Sequence, residues 1–173
     1  GPNDAGKTTV FNMLTGVYEV DEGTIIFRGK EIQNQKPGSI VAAGISRTFQ
    51  NIRLFSDLRV IENVLIGAHI RTNYHFFQSI FRTKKFRKEE DKVTEEAIRL
   101  LKSIDLDHRR DEYASNLPYG EQRKLEIARA IATGACLILL DEPAAGMNPQ
   151  ESAELMEFIY KLRDQGYTIL MIE

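Results

Sequence analysis

Cysteine is almost absent from the 173 residues, and tryptophan is missing altogether. The lone Cys136 cannot close an internal disulfide, and no histidine stands near it at metal-ligand spacing. A disulfide scaffold and a zinc site are therefore excluded, and a reducing compartment is the expectation. Long hydrophobic runs are also lacking. The longest, Ala135 to Leu140, falls far short of the roughly 20 residues that cross a bilayer. Neither sign of charge dominates: 23 Lys and Arg against 25 Asp and Glu leave a net charge of -2, so a nucleic-acid partner is not expected. Low-complexity tracts and internal repeats are missing too. What remains, 42% hydrophobic and 28% charged, suits one soluble globular domain. No basic-then-apolar leader opens the chain, which starts on Gly1 rather than Met. Its first residues lie inside a glycine loop that needs a strand behind it, and Tyr167 to Glu173 is a β-type run that simply stops. A piece of a larger domain, truncated at both ends, is the expectation.

Periodicity supplies an outline. Val10, Phe11 and Leu14 repeat at helical spacing between Lys7 and Thr15, and Gly16 stops that helix. Gly23 to Phe27 and the residues after Gly29 read as two short strands around an Arg28-Gly29 turn. Pro37 to Ala43 reads as a short helix and Ile45 to Gln50 as a strand. Ile61, Leu65 and Ala68, then Val93, Ala97, Leu100, Leu101 and Ile104, predict a helical block in the middle. A further helix runs from about Gly120 to Thr133, and the wholly apolar Leu137 to Leu140 predicts a strand buried on both faces. The last helix begins at Asn148, with Pro149 first and Glu151 third, and Gly166 ends it. Helix followed by strand again implies a crossover and a parallel sheet.

Five basic residues crowd into Arg82 to Lys88, followed directly by Glu89, Glu90 and Asp91. A solvated face with Lys85–Glu89 and Arg87–Asp91 pairs along a helix is the simpler reading, and contact with anionic headgroups the sharper one. His69, His75 and His108 have no partner spacing and read as surface or packing residues.

Three stretches carry chemistry. Gly1-Pro2-Asn3-Asp4-Ala5-Gly6-Lys7-Thr8 fits GxxxxGK[ST], a pattern expected by chance in roughly 0.5% of chains this long; a phosphate loop is the reading. Backbone N–H groups would curl around phosphates at the positive end of the first helix. Gly6 would let the backbone approach closely, Lys7 would reach the terminal phosphates, and Thr8 would offer its hydroxyl to Mg2+. Such a loop needs an acidic site on a neighbouring strand, and Cys136 to Glu142 supplies it. Asp141 is expected at the carboxyl end of the strand, facing the metal. Glu142 follows as general base, strand alternation turning the two side chains apart. The third stretch, Leu117-Pro118-Tyr119-Gly120-Glu121-Gln122-Arg123, stands before a helix about fifteen residues ahead of the acidic strand.

That position resembles the LSGGQ-like signature of the ATP-binding cassette (ABC) family. Leu117, Pro118, Tyr119, Gly120 and Glu121 stand where the family usually shows Leu, Ser, Gly, Gly and Gln. Gln50, within Ser46 to Phe55, matches the family's Q-loop, and Asn148 falls where its D-loop usually carries Asp. The wording RTFQNIRLF, NLPYGEQRKLEIARA and LLDEPAAGMNP is most similar to the ATP-binding subunit of branched-chain amino-acid importers. Asp4 replaces the usual glycine.

The resemblance implies an α/β P-loop NTPase with an ABC-type antiparallel β subdomain and a helical subdomain at about 51–116. It implies an ATPase, with ATP and Mg2+ as cofactors, that powers an importer. ATP contacts fall on Gly1, Pro2, Asn3, Asp4, Ala5, Gly6, Lys7, Thr8 and Thr9, and from the signature on Leu117, Tyr119, Gly120 and Glu121. The metal falls to Thr8, Gln50 and Asp141, and catalysis to Glu142 and Gln50. Implied partners are a second ABC ATPase subunit, identical or not, and transmembrane permease subunits, which the Q-loop would meet with Arg53 to Phe55 free for contact. A solute-binding protein would act indirectly, and no nucleic acid is implied. The location would be the cytoplasmic face of the membrane. The family's adenine-stacking aromatic and switch histidine have no counterpart within these residues. Other members of the family remain as alternatives, such as a lipopolysaccharide exporter's ATPase or a cytosolic translation factor. A GTP-binding switch would need an N-[TK]-x-D motif, and a DNA-repair cassette would need zinc cysteines, long coiled coils or a basic groove.

Overall fold

Strand Leu137–Asp141 organises the molecule, because its apolar side chains leave no face for water: Ile138, Leu139 and Leu140 are fully buried. The computed structural model describes residues 4–48, 52–76 and 84–172, with side chains except at 4, 5, 72–76 and 84–89. The elements in order are α1 (Asp4–Leu14), β1 (Ile26–Phe27), β2 (Lys30–Glu31), α2 (Pro37–Ala43), β3 (Ile45–Arg47), α3 (Val60–Phe76), α4 (Lys84–Ser103), α5 (Tyr119–Ala132), β4 (Leu137–Asp141), α6 (Pro149–Asp164) and β5 (Thr168–Ile172). Single 3-10 turns at Asp107–Arg109 and Ala114–Asn116 lie between α4 and α5.

The expected parallel sheet is present, ordered β3-β4-β5. Ile45 pairs with Leu137 and Arg47 with Leu139, while Asp141 pairs with Ile172. The carboxyl ends of β3 and β4 therefore reach the same edge. Alternation along β4 sends Ile138 and Leu140 to one side and Leu139 to the other. Helices α3 to α6 cover the first side with one continuous cluster, from Val60 and Leu101 through Leu125 and Ile127 to Phe158 and Leu162. Phe11 of α1, Ile32 and Ile40 of α2 cover the second. Strands β1 and β2 form the antiparallel pair expected around Arg28-Gly29.

Local chemistry accounts for the element ends. Asn148 accepts from the N–H of Glu151 at 2.9 Å and Glu151 returns the bond to the N–H of Asn148 at 3.0 Å, so α6 starts on a complete capping box with Pro149 behind it. Helix α3 starts at Val60, two residues later than the Leu58 start that the spacing of Ile61, Leu65 and Ala68 predicts for a helix from Leu58 to Ile70. The cause is that Leu58 is engaged elsewhere, its carbonyl accepting from the N–H of Ala114 at 2.9 Å. Arg59 bridges to Tyr113 beside it, so the two ends of the 58–114 stretch meet. Helix α4 starts at Lys84, earlier than expected, because charged straight-chain residues favour helix without contributing to the apolar period. The side chains of the expected Lys85–Glu89 and Arg87–Asp91 pairs lie outside the described residues on at least one side. Strand β3 closes at Arg47, three residues short of the expected end, although the N–H of Thr48 still donates to the carbonyl of Leu139 at 2.9 Å. Phe49 and Gln50 lie outside the described residues.

Helices α3 and α5 pack tightly against each other at Gly67. A Cβ built there would stand 2.4 Å from the Arg129 carbonyl oxygen and 3.1 Å from the Ala132 Cβ, so only hydrogen fits between these two backbones.

Candidate functional site

Helix α1 begins inside the phosphate-loop motif, which places Lys7 and Thr8 in its first turns, at the positive end of the peptide dipoles. Gly1, Pro2 and Asn3 lie outside the described residues, as do the side chains of Asp4 and Ala5. A Cβ at Gly6 would meet no described atom within 4 Å. Crowding by the described residues therefore does not explain the glycine.

At the end of β4, Asp141 is 9% exposed and is held on one oxygen: Arg47 Nη2 stands 2.6 Å from Asp141 Oδ2. The same guanidinium donates through Nη1 to Asn12 Oδ1 at 2.6 Å, and its carbon lies 5.4 Å from the centre of the Phe11 ring. Asn12 and Phe11 both belong to α1. Arg47 thus ties the strand that carries Asp141 to the helix that carries Lys7 and Thr8. The sequence alone does not single out Arg47, which falls inside the strand expected from Ile45 to Gln50, and its partner lies 94 positions away.

Glu142 sits just past the strand with φ 42. A left-handed backbone is costly for a side chain of this size, about 1–3 kcal/mol, and such strain gathers at functional positions. The N–H of Glu142 donates to the Ile172 carbonyl at 3.0 Å, and its own carbonyl accepts from the N–H of Ala145 at 3.0 Å, which locks the turn. Strand alternation, the expected reason for separating Glu142 from Asp141, does not reach Glu142: β4 ends at Asp141, and the next residue takes a positive φ instead.

The signature stretch opens α5. Leu117 is buried, Pro118 caps the helix, and Gln122 Nε2 donates to the Leu117 carbonyl at 2.9 Å. Gly120 resembles Gly6, with no described atom within 4 Å of a Cβ built on it. Glu121 pairs with Arg109, whose Nε is 2.8 Å from Glu121 Oε2 and whose Nη1 also meets Glu112. Tyr119 is 40% exposed, and its hydroxyl donates to the Ala145 carbonyl at 3.3 Å, joining the signature to the turn after Glu142.

Between α2, α3 and α5 lies an open groove of about 680 Å3, lined by Val41, Leu54, Phe55, Ile66, Ile70 and Arg129 among others. Phe55 is 49% exposed, with the Arg129 guanidinium 5.4 Å from its ring centre. Burial holds the Arg129 pKa below its ordinary value, opposed by the nearby Glu126 carboxylate. The expectation that Arg53 to Phe55 are free is corrected. The N–H of Phe55 donates to Asn63 Oδ1 at 3.0 Å, and Asn63 Nδ2 donates to the Phe55 carbonyl at 3.1 Å. The N–H of Arg53 donates to Glu126 Oε1 at 3.1 Å. The backbone is fastened because buried Asn63 and Glu126 need partners, while the Phe55 ring stays outside.

Residues 1–145 match the model of the ABC transporter family. The chain is 44% identical over 174 residues to the high-affinity branched-chain amino acid transport ATP-binding protein BraF of Pseudomonas aeruginosa, covering all of this chain and 68% of that protein. The corresponding LivG protein of Escherichia coli shows the same identity and coverage. Among solved structures, the ADP conformation of MJ1267, an ATP-binding cassette of an ABC transporter, superposes with a TM-score of 0.81 at 33% identity over all of this chain and 67% of that one. The GxxxxGK[ST] stretch that runs into α1, the acidic end of β4 tied to that helix, and the stretch that opens α5 thus lie on a fold shared with these cassettes, and the chain belongs to the ABC transporter family, as its ATPase cassette built on the P-loop nucleotide-binding fold.

Proposed function

We propose that this cassette binds ATP at the edge where β3 and β4 end, cleaves the γ-phosphate with Glu142 as general base, and so powers an importer of branched-chain amino acids. One observation carries the reading most: the carboxylate at the end of β4 is fastened through Arg47 to the very helix that begins in the phosphate loop. The donor set fits Mg2+, a hard cation that prefers oxygen: the Thr8 hydroxyl, the Asp141 carboxylate and the Gln50 amide oxygen. When bound, Mg2+ neutralises charge building on the β- and γ-phosphates. Lys7 holds the terminal phosphates, and Arg47 fixes the orientation of Asp141. Glu142 accepts the proton of the attacking water. Gly1 to Asn3, Asp4, Ala5 and Thr9 complete the loop's contacts, and Leu117, Tyr119, Gly120 and Glu121 serve a second ATP across a head-to-tail dimer.

The solute is proposed from the printed names of the relatives, since nothing in this chain meets it. The permease is assigned the groove beside Phe55, and the helical subdomain the stretch at about 51–116, whose ends are drawn together by the Arg59–Tyr113 bridge. Among the described residues no helix is long and apolar enough to cross a membrane, in keeping with a peripheral place on the cytoplasmic face beside the permease. Uptake of labelled leucine by cells that carry the full-length protein tests the reading. Lys7→Ala should abolish uptake while leaving the amount of protein unchanged; uptake unaffected by Lys7→Ala would overturn it.

A further inference from the structure

A carboxylate in the middle of α5 is buried where an amphipathic helix needs only an apolar side chain. Glu126 is 2% exposed and Arg123, one turn earlier, is 0% exposed. Arg123 Nη1 donates to Glu126 Oε2 at 2.8 Å. The other carboxylate oxygen accepts from the N–H of Arg53, which lies 73 positions away and three residues past Gln50. Removing two charges from water costs several kcal/mol per ion, and apolar residues of like volume usually serve stability as well or better. The pair is therefore poorly explained by stability. What it does, and what apolar residues there could not do, is supply an oxygen to the backbone of the Arg53 segment.

The pair also reaches toward the signature. Arg123 Nη2 donates to the Tyr119 hydroxyl at 3.4 Å, and that hydroxyl donates to the Ala145 carbonyl at 3.3 Å. Asn63 fastens Phe55 from the α3 side with two bonds. Hydrogen-bonded groups on α5 thus run from the turn after Glu142, past Tyr119 and Arg123, to the segment that follows Gln50.

We propose that Glu126, oriented by Arg123, is a positioning residue of the ATPase cycle. It holds the segment after Gln50 onto the helix that begins with Tyr119 and Gly120, so that this segment and the signature move as one unit. The consequence for hydrolysis rests on the role proposed above for Gln50.

Removing Glu126 alone would leave Arg123 buried without its counter-ion and risks unfolding, so the test uses paired substitutions in the full-length protein. Arg123→Met with Glu126→Leu deletes both charges at similar volume. Arg123→Met with Glu126→Gln also deletes them but keeps an oxygen for the Arg53 N–H. Both should melt within a few degrees of the parent. In the first, exchange of the Arg53 amide should accelerate about tenfold or more, and kcat should fall about tenfold with KM for ATP within about twofold. In the second, both should return toward the parent. Unchanged Arg53 exchange or unchanged kcat in the Met–Leu pair would overturn the inference, as would equal losses in the two pairs. Gln50→Ala measured alongside separates the premises: an unaffected kcat there overturns the role of Gln50, and the exchange rates still decide whether Glu126 fastens the segment.

Discussion

Arg47 has no role visible in its own stretch of sequence, yet it decides how the acidic residue at the end of β4 meets the phosphate-loop helix. Its side chain is 7% exposed and that of Asp141 12%, so the pair is largely screened from water and each ion depends on the other. Arg47→Met should destabilise the protein by about 2–4 kcal/mol, since it strands Asp141 without a counter-ion; urea unfolding without nucleotide measures this. Asp141→Asn should weaken Mg2+-dependent nucleotide binding, measured by calorimetry with and without a chelator, because a neutral amide is a poorer ligand for a hard cation. The helix that follows the glycine loop and the place of Asp141 at the end of β4 were legible because each is set by a short run of consecutive residues. Arg47, Arg123 and Glu126 were not, because their meaning lies in partners dozens of positions away or in burial that helical periodicity does not reveal for a charged side chain.

Among the elements, legibility followed how local the determinants are. Helix α6 could be read to its first residue because Asn148, Pro149 and Glu151 form the cap among themselves. Strand β4 could be read because its four successive apolar residues lie in a short run between Gly134 and Pro143, too short for a buried helix. The start of α3 could not, since it depends on Leu58 and Arg59 being held by residues 113 and 114. Gly67 is a further case: inside a helical pattern it reads as a mild weakness, and only the neighbouring α5 shows why it is required. Gly67→Ala should cost about 1–3 kcal/mol despite alanine's better helix propensity, because the methyl group collides with the Arg129 carbonyl. Thermal unfolding of the variant checks this, and any stabilisation would mean that α3 and α5 are spaced more widely than described.

For the whole molecule, the proposed function assigns one task to the edge where β3 and β4 end and another to the groove beside Phe55. The edge formed by the ends of β3 and β4, together with α1, gathers the residues proposed for nucleotide, while the groove between α2, α3 and α5, which Ser46 and Arg47 of β3 also line, carries the exposed aromatic Phe55. Phe55→Ser should spare folding, since the ring is half exposed and its backbone stays held by Asn63. Basal ATPase activity should remain and its stimulation by the permease should disappear, as measured in vesicles containing the assembled transporter. Leu54 is a poorer probe because it packs against the main core. The central claim, that the strained Glu142 is the base of an ATPase working as a sandwich of two copies, is tested most directly by Glu142→Gln in the full-length protein. Phosphate release should be followed on the same sample that is passed over a sizing column with ATP and Mg2+. The account predicts hydrolysis lowered by about 10²-fold or more with a dimer that persists only while ATP is present; hydrolysis within a few-fold of the parent, or a monomer under those conditions, would contradict it.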